Sequence, residues 1–403
     1  MKPKVSIIIP VYNGTNYMRD AIDSALEQTY ENCEVIVIND GSNDAGATAK
    51  VAKSYGDRIK YFEKENGGVA TAVNMGIQKM TGEYFAWLSH DDIFSLDKIE
   101  RQMDAIEKSD ICNPIVHSNF EFWYMDDDRR VEVNWLNQYT IDQMENGCFA
   151  PIFLAIHGST VLIHKSHFER VGVYDTKLLA TQDSEFLFRV MRGQKTIFVK
   201  ENLMTSRVHR EQGQQTMACH SPEYNQMFVD FCETLSDAEK KEMCGSILNF
   251  YYRLYLLLKY SPPANSILDY LKEKIMFYSQ NTFEIEGGTT GSNQELLIND
   301  VQNVFIFGAG QLGREMLFTL RTYDIKVSGF IDNSKLKQGL VIEGVECYSP
   351  EYLKDRGGCL VIVSMMNPEA VIEQLRHMKV MNVTTIGKLK KDLFKMLPKN
   401  IIF

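Results

Sequence analysis

Apolar and polar positions alternate in blocks along the first hundred residues, and the blocks switch between strand-like and helix-like periods. The short apolar runs Val5–Pro10, Cys33–Asn39 and Tyr84–Leu88 have the length of buried strands. Between the first two runs, the apolar residues of Met18–Leu26 recur at helical spacing. Repeated strand–helix units of this kind predict an α/β fold with a mostly parallel, doubly wound sheet. Ligands of such sheets bind at the carboxyl ends of the strands.

The pattern changes in the second half of the chain. A long helical region is predicted there, and Phe250–Tyr260 is its most apolar stretch. Arg253 and Lys259 interrupt that stretch, which favours a packed helix; binding to a membrane surface is the alternative. Ile285–Gln294 has the composition of a linker, and a second α/β pattern follows it. The predicted parts are an α/β domain over 1–216, a helical connector over 217–284, a linker over 285–298 and a small Rossmann-like α/β domain over 299–403.

Composition narrows the class of protein. The formal net charge is −10, which argues against a nucleic-acid binder, because such proteins carry a basic field. The sequence has no run of about 18 apolar residues and no signal-peptide core. Its eight cysteines include no Cys-x-x-Cys pair, so neither a zinc site nor a redox motif is indicated. We therefore expect a cytoplasmic protein with reduced thiols.

Asp91 and Asp92 are the first candidate functional residues, because they follow the apolar run Tyr84–Leu88 almost at once. Two adjacent carboxylates at the end of a buried strand are costly unless a cation lies beside them. A hard divalent ion that carries a diphosphate would satisfy both carboxylates. The alternative is structural: Asp92 and Ser95 precede a predicted helix, and acidic residues are favoured at helix N-termini.

Four loops are expected to meet at the carboxyl edge of the first sheet. They are Pro10–Gly14, Asn39–Ser42, Asn66–Gly68 and Ser89–Asp92. Tyr12 offers a flat face for a nucleotide base, and Asp40 can accept a hydrogen bond from a base N–H. The glycines allow backbone N–H groups to approach phosphate oxygens. Each loop alone has an explanation as a turn or hinge, but together they predict a nucleotide site.

These segments resemble the family 2 glycosyltransferases, which are inverting enzymes with a nucleotide-binding, metal-dependent α/β fold of the GT-A type. The resemblance covers roughly residues 4–216, and it depends on seven segments that occur in the right order. The segments are SIIIPVYNG, VIVINDGSND, ENGGVATAVNMGI, GEYFAWLSHDD, HGSTVLIHKS, TQDSEFLFRV and RVHREQGQQT.

The resemblance implies a role for each candidate residue. The nucleotide and donor site would comprise Pro10, Val11, Tyr12, Asn13, Asp40, Gly41, Ser42, Asn66, Gly68, Asp91, Arg207 and Arg210. Mn²⁺ or Mg²⁺ would be held by Asp91, Asp92 and His209. Asp183 falls where the family carries its catalytic base. From the residues alone, Asp183 could also be a surface acid on an amphipathic helix, and His209 a structural loop histidine.

Three positions depart from the family pattern. Ser89 stands where the family often has an Asp, so the metal motif is a shortened one. Gln182 replaces the usual Glu before the base. Val73 replaces an Arg that is common in the helix after the Gly-Gly pair, which puts one phosphate contact in doubt. The proposed metal ligand and the base are unaffected by these changes.

The implied reaction is the inverting transfer of a sugar from a nucleotide sugar, by default a UDP-sugar, to a hydroxyl of a glycan, glycolipid or glycoprotein. Asp183 would remove the proton of the acceptor hydroxyl, and the metal would stabilise the departing diphosphate. A glycolipid acceptor would bring the protein to the inner membrane face as a peripheral protein.

A glycine-rich loop marks the C-terminal domain. Gly308, Gly310 and Gly313 form a Gly-x-Gly-x-x-Gly motif between a predicted strand and helix, and Asp332 follows at the end of the next strand. This context is typical of a site for NAD(P) or another nucleotide. No adjacent Tyr-x-x-x-Lys pair accompanies the motif. The alternative is an accessory domain used for homo-oligomerisation or acceptor placement.

Two other functions stay open at this stage. An NAD-linked nucleotide-sugar oxidoreductase or epimerase would use the C-terminal glycine loop as its centre. A non-catalytic nucleotide-binding scaffold would bind ligand without turnover. The intact Asp91, Asp92 and Asp183 argue against the scaffold.

Overall fold

The structure is a computed structural model of the protein. The chain forms two compact units, Met1–Ile285 and Glu286–Phe403. The structure describes residues 2–210, 212, 219–245, 247–261, 264–281, 303–322, 325–354, 359–365, 368–380 and 382–385. The predicted linker over 285–298 lies outside the described residues, as do positions 211 and 213–216 of the last family-like segment.

The first unit alternates strands and helices as the sequence pattern predicts. Its strands are β1 (Val5–Val11), β2 (Cys33–Asp40), β3 (Lys60–Lys64), β4 (Tyr84–Trp87), β5 (Ile93–Phe94), β6 (Val116–Tyr124), β7 (Arg129–Val133), β8 (Leu162–His164) and β9 (Ile197–Val208). Its first helices are α1 (Met18–Leu26), α2 (Ala47–Lys53), α3 (Val69–Lys79), α4 (Lys98–Glu107), α5 (Ile141–Glu145), α6 (Phe149–Ile152), α7 (Ser166–Val171) and α8 (Gln182–Met191).

These strands form one mixed sheet in the order β3-β2-β1-β4-β8-β6-β9-β5, with β7 paired to β6. Neighbours from β3 to β4 are parallel, so the carboxyl ends of β1, β2 and β4 lie at one edge. The pairs β4–β8, β8–β6 and β9–β5 are antiparallel, whereas β6–β9 is parallel. The α/β class is confirmed, and the parallel pattern holds for β1 to β4.

Strand β1 shows why the sheet is covered on both faces. All of its residues are buried, and successive side chains point to opposite faces. Ile7 and Ile9 pack in a core with α1, which contributes Met18 and Ile22. Ile8 packs in a second core, to which α3 contributes apolar side chains. The continuous apolar run is therefore the signature of a central strand with helices on both faces.

Four further helices lie in the described part of the first unit. They are α9 (His220–Thr234), α10 (Asp237–Cys244), α11 (Ile247–Leu258) and α12 (Asn265–Asn281). Phe250, Tyr251, Leu254 and Leu258 are buried among these helices and α6, so the apolar stretch of α11 packs inside the protein. No helix in the described part of the chain is long and apolar enough to cross a bilayer.

The second unit is a smaller α/β structure. Its described strands are β10 (Asn303–Phe307), β11 (Val327–Ile331), β12 (Val341–Ile342), β13 (Val345–Tyr348), β14 (Cys359–Val363) and β15 (Asn382–Thr385). They form a sheet in the order β12-β13-β11-β10-β14-β15, in which only β12 is antiparallel to its neighbour among the described strands. The described helices of this unit are α13 (Gln311–Thr322) and α14 (Glu369–His377).

Candidate functional site

The loops after β1 and β2 are joined by hydrogen bonds. Asn13 and Asn43 form a reciprocal pair, in which Asn13 Nδ2 donates to Asn43 Oδ1 at 2.8 Å and the Asn43 N–H donates back at 2.9 Å. The Asn13 N–H donates to Ser42 Oγ at 2.9 Å. Pro10 and Val11 are buried at the end of β1, whereas Tyr12 is 43% exposed. The two loops therefore form one surface that presents an aromatic ring to solvent.

Asp40 fixes the third loop. Its Oδ1 accepts the Gly67 N–H at 3.1 Å and pairs with Lys64 Nζ, and its Oδ2 accepts the Gly68 N–H at 2.8 Å. The Asp40 carbonyl accepts Asn66 Nδ2 at 2.9 Å. Asp40 is 3% exposed. Residues that lie apart in the sequence, at the ends of β2 and β3, are thereby held together beside the loop after β1.

Gly41 is required where these loops meet. It has a φ of +66°, and a Cβ placed on it would lie 2.4 Å from the backbone nitrogen of Asn66. Gly41→Ala is expected to lower the free energy of unfolding by about 2 kcal/mol or more, because it adds backbone strain and displaces the Asn66 loop. Gly46→Ala is the control, since Gly46 has a φ of +82° but faces open space. Equal losses in chemical denaturation of the two variants would contradict the predicted contact.

Asp91 and His209 meet beside these loops. His209 Nε2, just beyond β9, lies 3.0 Å from Asp91 Oδ2, just beyond β4. Burial opposes ionisation of Asp91, but the hydrogen bond from His209 and the charge of His90 outweigh it and lower the pKa of Asp91. A Cβ placed on Gly14 would lie 2.8 Å from the His90 ring, so the first loop touches this segment as well.

The Asp91–His209 pair fits two ligand positions of a divalent ion. Adjacent ligands on an octahedral ion with bonds of about 2.0–2.1 Å lie about 3 Å apart, which is the separation of these two atoms. Within the described part of the chain, no group of three or more His, Cys, Asp or Glu side chains is arranged to hold a metal. A metal here would therefore need further ligands from its substrate or from water.

Asp92 points into the protein. It is 2% exposed, and its carboxylate accepts hydrogen bonds from Ser159 Oγ at 3.1 Å and from the Arg207 N–H at 3.2 Å. Burial and the neighbouring Asp91 raise the pKa of Asp92 well above its ordinary value. The helix-capping interpretation of Asp92 is wrong, because strand β5 follows it and α4 begins only at Lys98.

His157 completes the polar cluster behind Asp92. Its Nδ1 accepts the Ser159 N–H at 3.2 Å, and its Nε2 lies 4.0 Å from Asp92 Oδ2. Burial lowers the pKa of His157 to about 4, so the ring is neutral near pH 7. The cluster supports the segment that carries Asp91 on its buried side, where Asp92 lies.

The two arginines predicted near the diphosphate lie in different surroundings. The Arg207 side chain is buried, donates to the Asp91 carbonyl oxygen at 3.0 Å and pairs with Asp20. Arg210 is exposed and pairs with Asp126 at 3.2 Å. Arg207 is therefore built into the Asp91 segment, whereas Arg210 is a surface residue.

Asp183 lies in the first turn of α8, next to the Gly158 segment. A Cβ placed on Gly158 would lie 3.9 Å from Asp183 Cβ and 3.2 Å from the Trp87 ring at the end of β4. Burial raises the pKa of Asp183, although the Ser184 N–H partly offsets this effect. Ser159, which follows Gly158 in the sequence, contacts Asp92. One short segment therefore connects the surroundings of Asp183 with the residues that follow β4.

The C-terminal glycine loop closes on itself. A Cβ placed on Gly313 would lie 1.8 Å from the Gly308 oxygen, whereas Gly310 faces open space. The Asp332 carboxylate accepts the Ala309 N–H at 2.8 Å. Asp332 therefore holds the glycine loop in place.

Several residues of the site were not predicted from the sequence. Each of the following residues contacts a predicted residue or the segment that carries one: Lys64, His157, Ser159 and Glu223. His157 and Ser159 lie in the family-like segment HGSTVLIHKS, and their place in that segment could have marked them as candidate site residues. For Glu223 the local sequence gives no signal.

Comparison with known proteins identifies the family. Residues 6–172 match the family model described as "Glycosyl transferase family 2". An uncharacterized glycosyltransferase of Rickettsia typhi is 41% identical over 257 residues, which cover 64% of this chain and 80% of the relative. The chain belongs to glycosyl transferase family 2. The GT-A-like α/β class expected from the resemblance is confirmed for this family member.

Other similar proteins differ in length or are more distant. An uncharacterized glycosyltransferase of Rickettsia bellii is 42% identical over 260 residues, which cover 64% of this chain but 38% of the relative. The chain thus spans about two fifths of the length of that curated relative. The match to the structure of S. aureus TarS 1-349 in complex with UDP-GlcNAc covers 69% of this chain and 92% of the 1-349 chain, at 13% identity and a TM-score of 0.47.

Proposed function

We propose that this chain is an inverting glycosyltransferase that moves a sugar from a nucleotide-sugar donor, by default a UDP-sugar, to an acceptor hydroxyl. The observation that carries the proposal is the meeting of Asp91 and His209 at the sheet edge where the loops after β1, β2 and β3 are joined. Family membership supports the same reaction class. The acceptor would be a glycan, glycolipid or glycoprotein.

The loops after β1 and β2 would bind the nucleoside. The exposed ring of Tyr12 supplies a stacking face for the base. Asp40 Oδ2 accepts the Gly68 N–H and retains a lone pair for a base N–H. Lys64 pairs with Asp40 and offsets its negative charge on this side of the donor site.

Asp91 and His209 would hold Mn²⁺ or Mg²⁺ together with diphosphate oxygens and water. When bound, the ion would supply positive charge against the departing diphosphate. Asp92 would anchor the segment that carries Asp91, since its carboxylate accepts hydrogen bonds from Ser159 and from the Arg207 backbone. Arg207 would steady the Asp91 backbone, and the exposed Arg210 would have to leave Asp126 to reach a phosphate.

Asp183 would be the general base. It would accept the proton of the acceptor hydroxyl while the hydroxyl oxygen bonds to the anomeric carbon and the bond to the diphosphate breaks. The attack from the face opposite the diphosphate inverts the anomeric configuration. The burial that raises the pKa of Asp183 makes its carboxylate a stronger base.

The pH profile tests this assignment. Asp183 acts in its deprotonated form, so kcat/KM is expected to fall as the pH decreases through the raised pKa of Asp183. The acid limb should lie above the ordinary Asp pKa of about 3.9. An acid limb that is unchanged in a variant lacking the Asp183 carboxylate would contradict the assignment.

The NAD-linked alternative has less support. The Asp332 carboxylate, which a dinucleotide site would direct to a ribose, is bonded to the Ala309 N–H. We propose that the second unit is an accessory domain for oligomerisation or acceptor placement. A peripheral contact of the enzyme with the inner membrane face would follow from a glycolipid acceptor.

A screen of nucleotide sugars by thermal unfolding tests the proposed function. A donor that binds the folded protein raises its apparent stability, so at least one nucleotide sugar should raise Tm in the presence of Mn²⁺ or Mg²⁺. Chelation of the metal should remove most of that shift. A shift with NAD(P) alone, together with a nicotinamide absorbance change on adding a sugar nucleotide, would favour the oxidoreductase instead.

A further inference from the structure

A short loop precedes the helix that carries Asp183, and one carboxylate from a later helix holds it. Glu223, in the first turn of α9, accepts the backbone N–H groups of Leu179 at 3.1 Å, Ala180 at 2.9 Å and Thr181 at 3.2 Å. Thr181 Oγ1 adds a fourth contact at 3.3 Å. Three consecutive backbone donors on one carboxylate fix both the position and the direction of the loop.

The charge of Glu223 is matched to this role. Burial opposes its ionisation, but the N–H groups of Ala180, Leu179 and Thr181 outweigh that effect and lower the pKa of Glu223. Glu223 is therefore anionic at neutral pH. A carboxylate makes hydrogen bonds to N–H donors that are about twice as strong as those of a neutral acceptor.

The loop lies between the two halves of the proposed active site. Thr181 is two residues before Asp183 and immediately precedes α8. At its other end, Leu179 Cδ2 lies 3.8 Å from a Cβ placed on Gly68, in the loop proposed to bind the donor. Leu179 is also 49% exposed, which leaves its side chain available to a ligand. A shift of this loop would change the distance between donor and base.

We infer that Glu223 is a positioning residue that sets Asp183 at its working distance from the donor loop. This inference rests on the proposed function of Asp183 as the base. The family match ends at residue 172, and Glu223 belongs to the helices that follow α8. Those helices would thus complete the active site.

Other contacts hold α9 and α10 against α8 without Glu223. The rings of Phe188 on α8 and Phe231 on α9 lie 4.2 Å apart. Arg192, directly after α8, pairs with Glu239 on α10 at 2.8 Å. Loss of Glu223 should therefore release the loop but leave the helices packed. A role of Glu223 in positioning the loop can thus be distinguished from a role in folding.

The test compares Glu223→Gln with Glu239→Gln in the full chain. Gln keeps the size of Glu223 but loses its charge, and its N–H₂ group replaces the second carboxylate oxygen, which shares the Leu179 N–H. We expect kcat to fall about 10- to 100-fold, because small misplacements of catalytic groups can cost about 10²-fold. Donor affinity should change by less than about threefold. Glu239→Gln weakens a helix cap and an ion pair, so it should lower Tm but leave kcat within about twofold.

Hydrogen exchange of the three loop amides gives a readout independent of turnover. It should accelerate at Leu179, Ala180 and Thr181 in Glu223→Gln and stay unchanged in Glu239→Gln. Wild-type kcat in Glu223→Gln would overturn the positioning role while leaving the proposed function intact. So would an equal loss of kcat in both variants. Failure of the wild type to turn over any nucleotide sugar would overturn the proposed function, and the role of Glu223 with it.

Discussion

Asp183→Asn is expected to lower kcat for sugar transfer by about 10²–10⁴-fold, the usual contribution of a positioned general base. Asn has the shape of Asp but cannot take a proton from the acceptor hydroxyl. Donor affinity should be unchanged, because Asp183 lies beside Gly158 and Trp87 and outside the joined donor loops. Steady-state rates of nucleoside diphosphate release, combined with donor titration, measure the two effects separately.

The control for this variant is Glu185→Gln on the same helix. Glu185 pairs with Arg189 at 2.6 Å, one turn along α8, and has no place in the proposed chemistry. It should keep the wild-type kcat within about twofold. Full turnover by Asp183→Asn would remove Asp183 from the role of base.

Asp91→Asn is expected to weaken metal-dependent donor binding by about 100-fold or more. Changes to groups that merely support a metal ligand already cost about 10–100-fold, and here the ligand itself loses its charge. The amide would also lose the charge-assisted contact with His209 Nε2, which lies 3.0 Å from Asp91 Oδ2. Calorimetric titration of the donor, with Mn²⁺ and with chelator, is the measurement.

The exposed Asp57 provides a matched charge-removing control. Asp57→Asn should bind the donor with wild-type affinity in both conditions. If Asp91→Asn retained the metal-dependent affinity of the wild type, the ion would have to be held elsewhere.

The sequence pattern predicted the core of the first unit well, because local periodicity reflects burial. The apolar runs of β1, β2 and β4 and the helical spacing of α1 and α3 identify a covered parallel sheet. Parallel neighbours place their loops at one edge, so the sequence alone could predict that the loops after β1, β2 and β3 lie together.

What could not be predicted depends on contacts between distant residues. The hydrogen bonds that Asp92 accepts from Ser159 and from the Arg207 backbone join residues that are 67 and 115 positions apart along the chain. Strand β5 separates Asp92 from α4 because Ile93 pairs with Thr205 of β9. A two-residue strand has no detectable period in the sequence.

The helical region shows the same limit. Its apolar residues predicted helices, yet the pattern could not say what those helices do. The hydrogen bonds of Glu223 span 42 to 44 residues along the chain and end on backbone N–H groups, which carry no side-chain signature. Such a contact is visible only once α8 and α9 are placed side by side.

The central claim is that the edge formed by these loops binds a nucleotide sugar and that Asp183 drives its transfer. The most direct measurement is the release of nucleoside diphosphate from a panel of nucleotide sugars by the wild type and Asp183→Asn, each with Mn²⁺ or with chelator. We predict metal-dependent release by the wild type with at least one donor, and its loss in an Asp183→Asn protein that still binds that donor. Equal release by the two proteins, or no release and no binding with any donor, would contradict the claim.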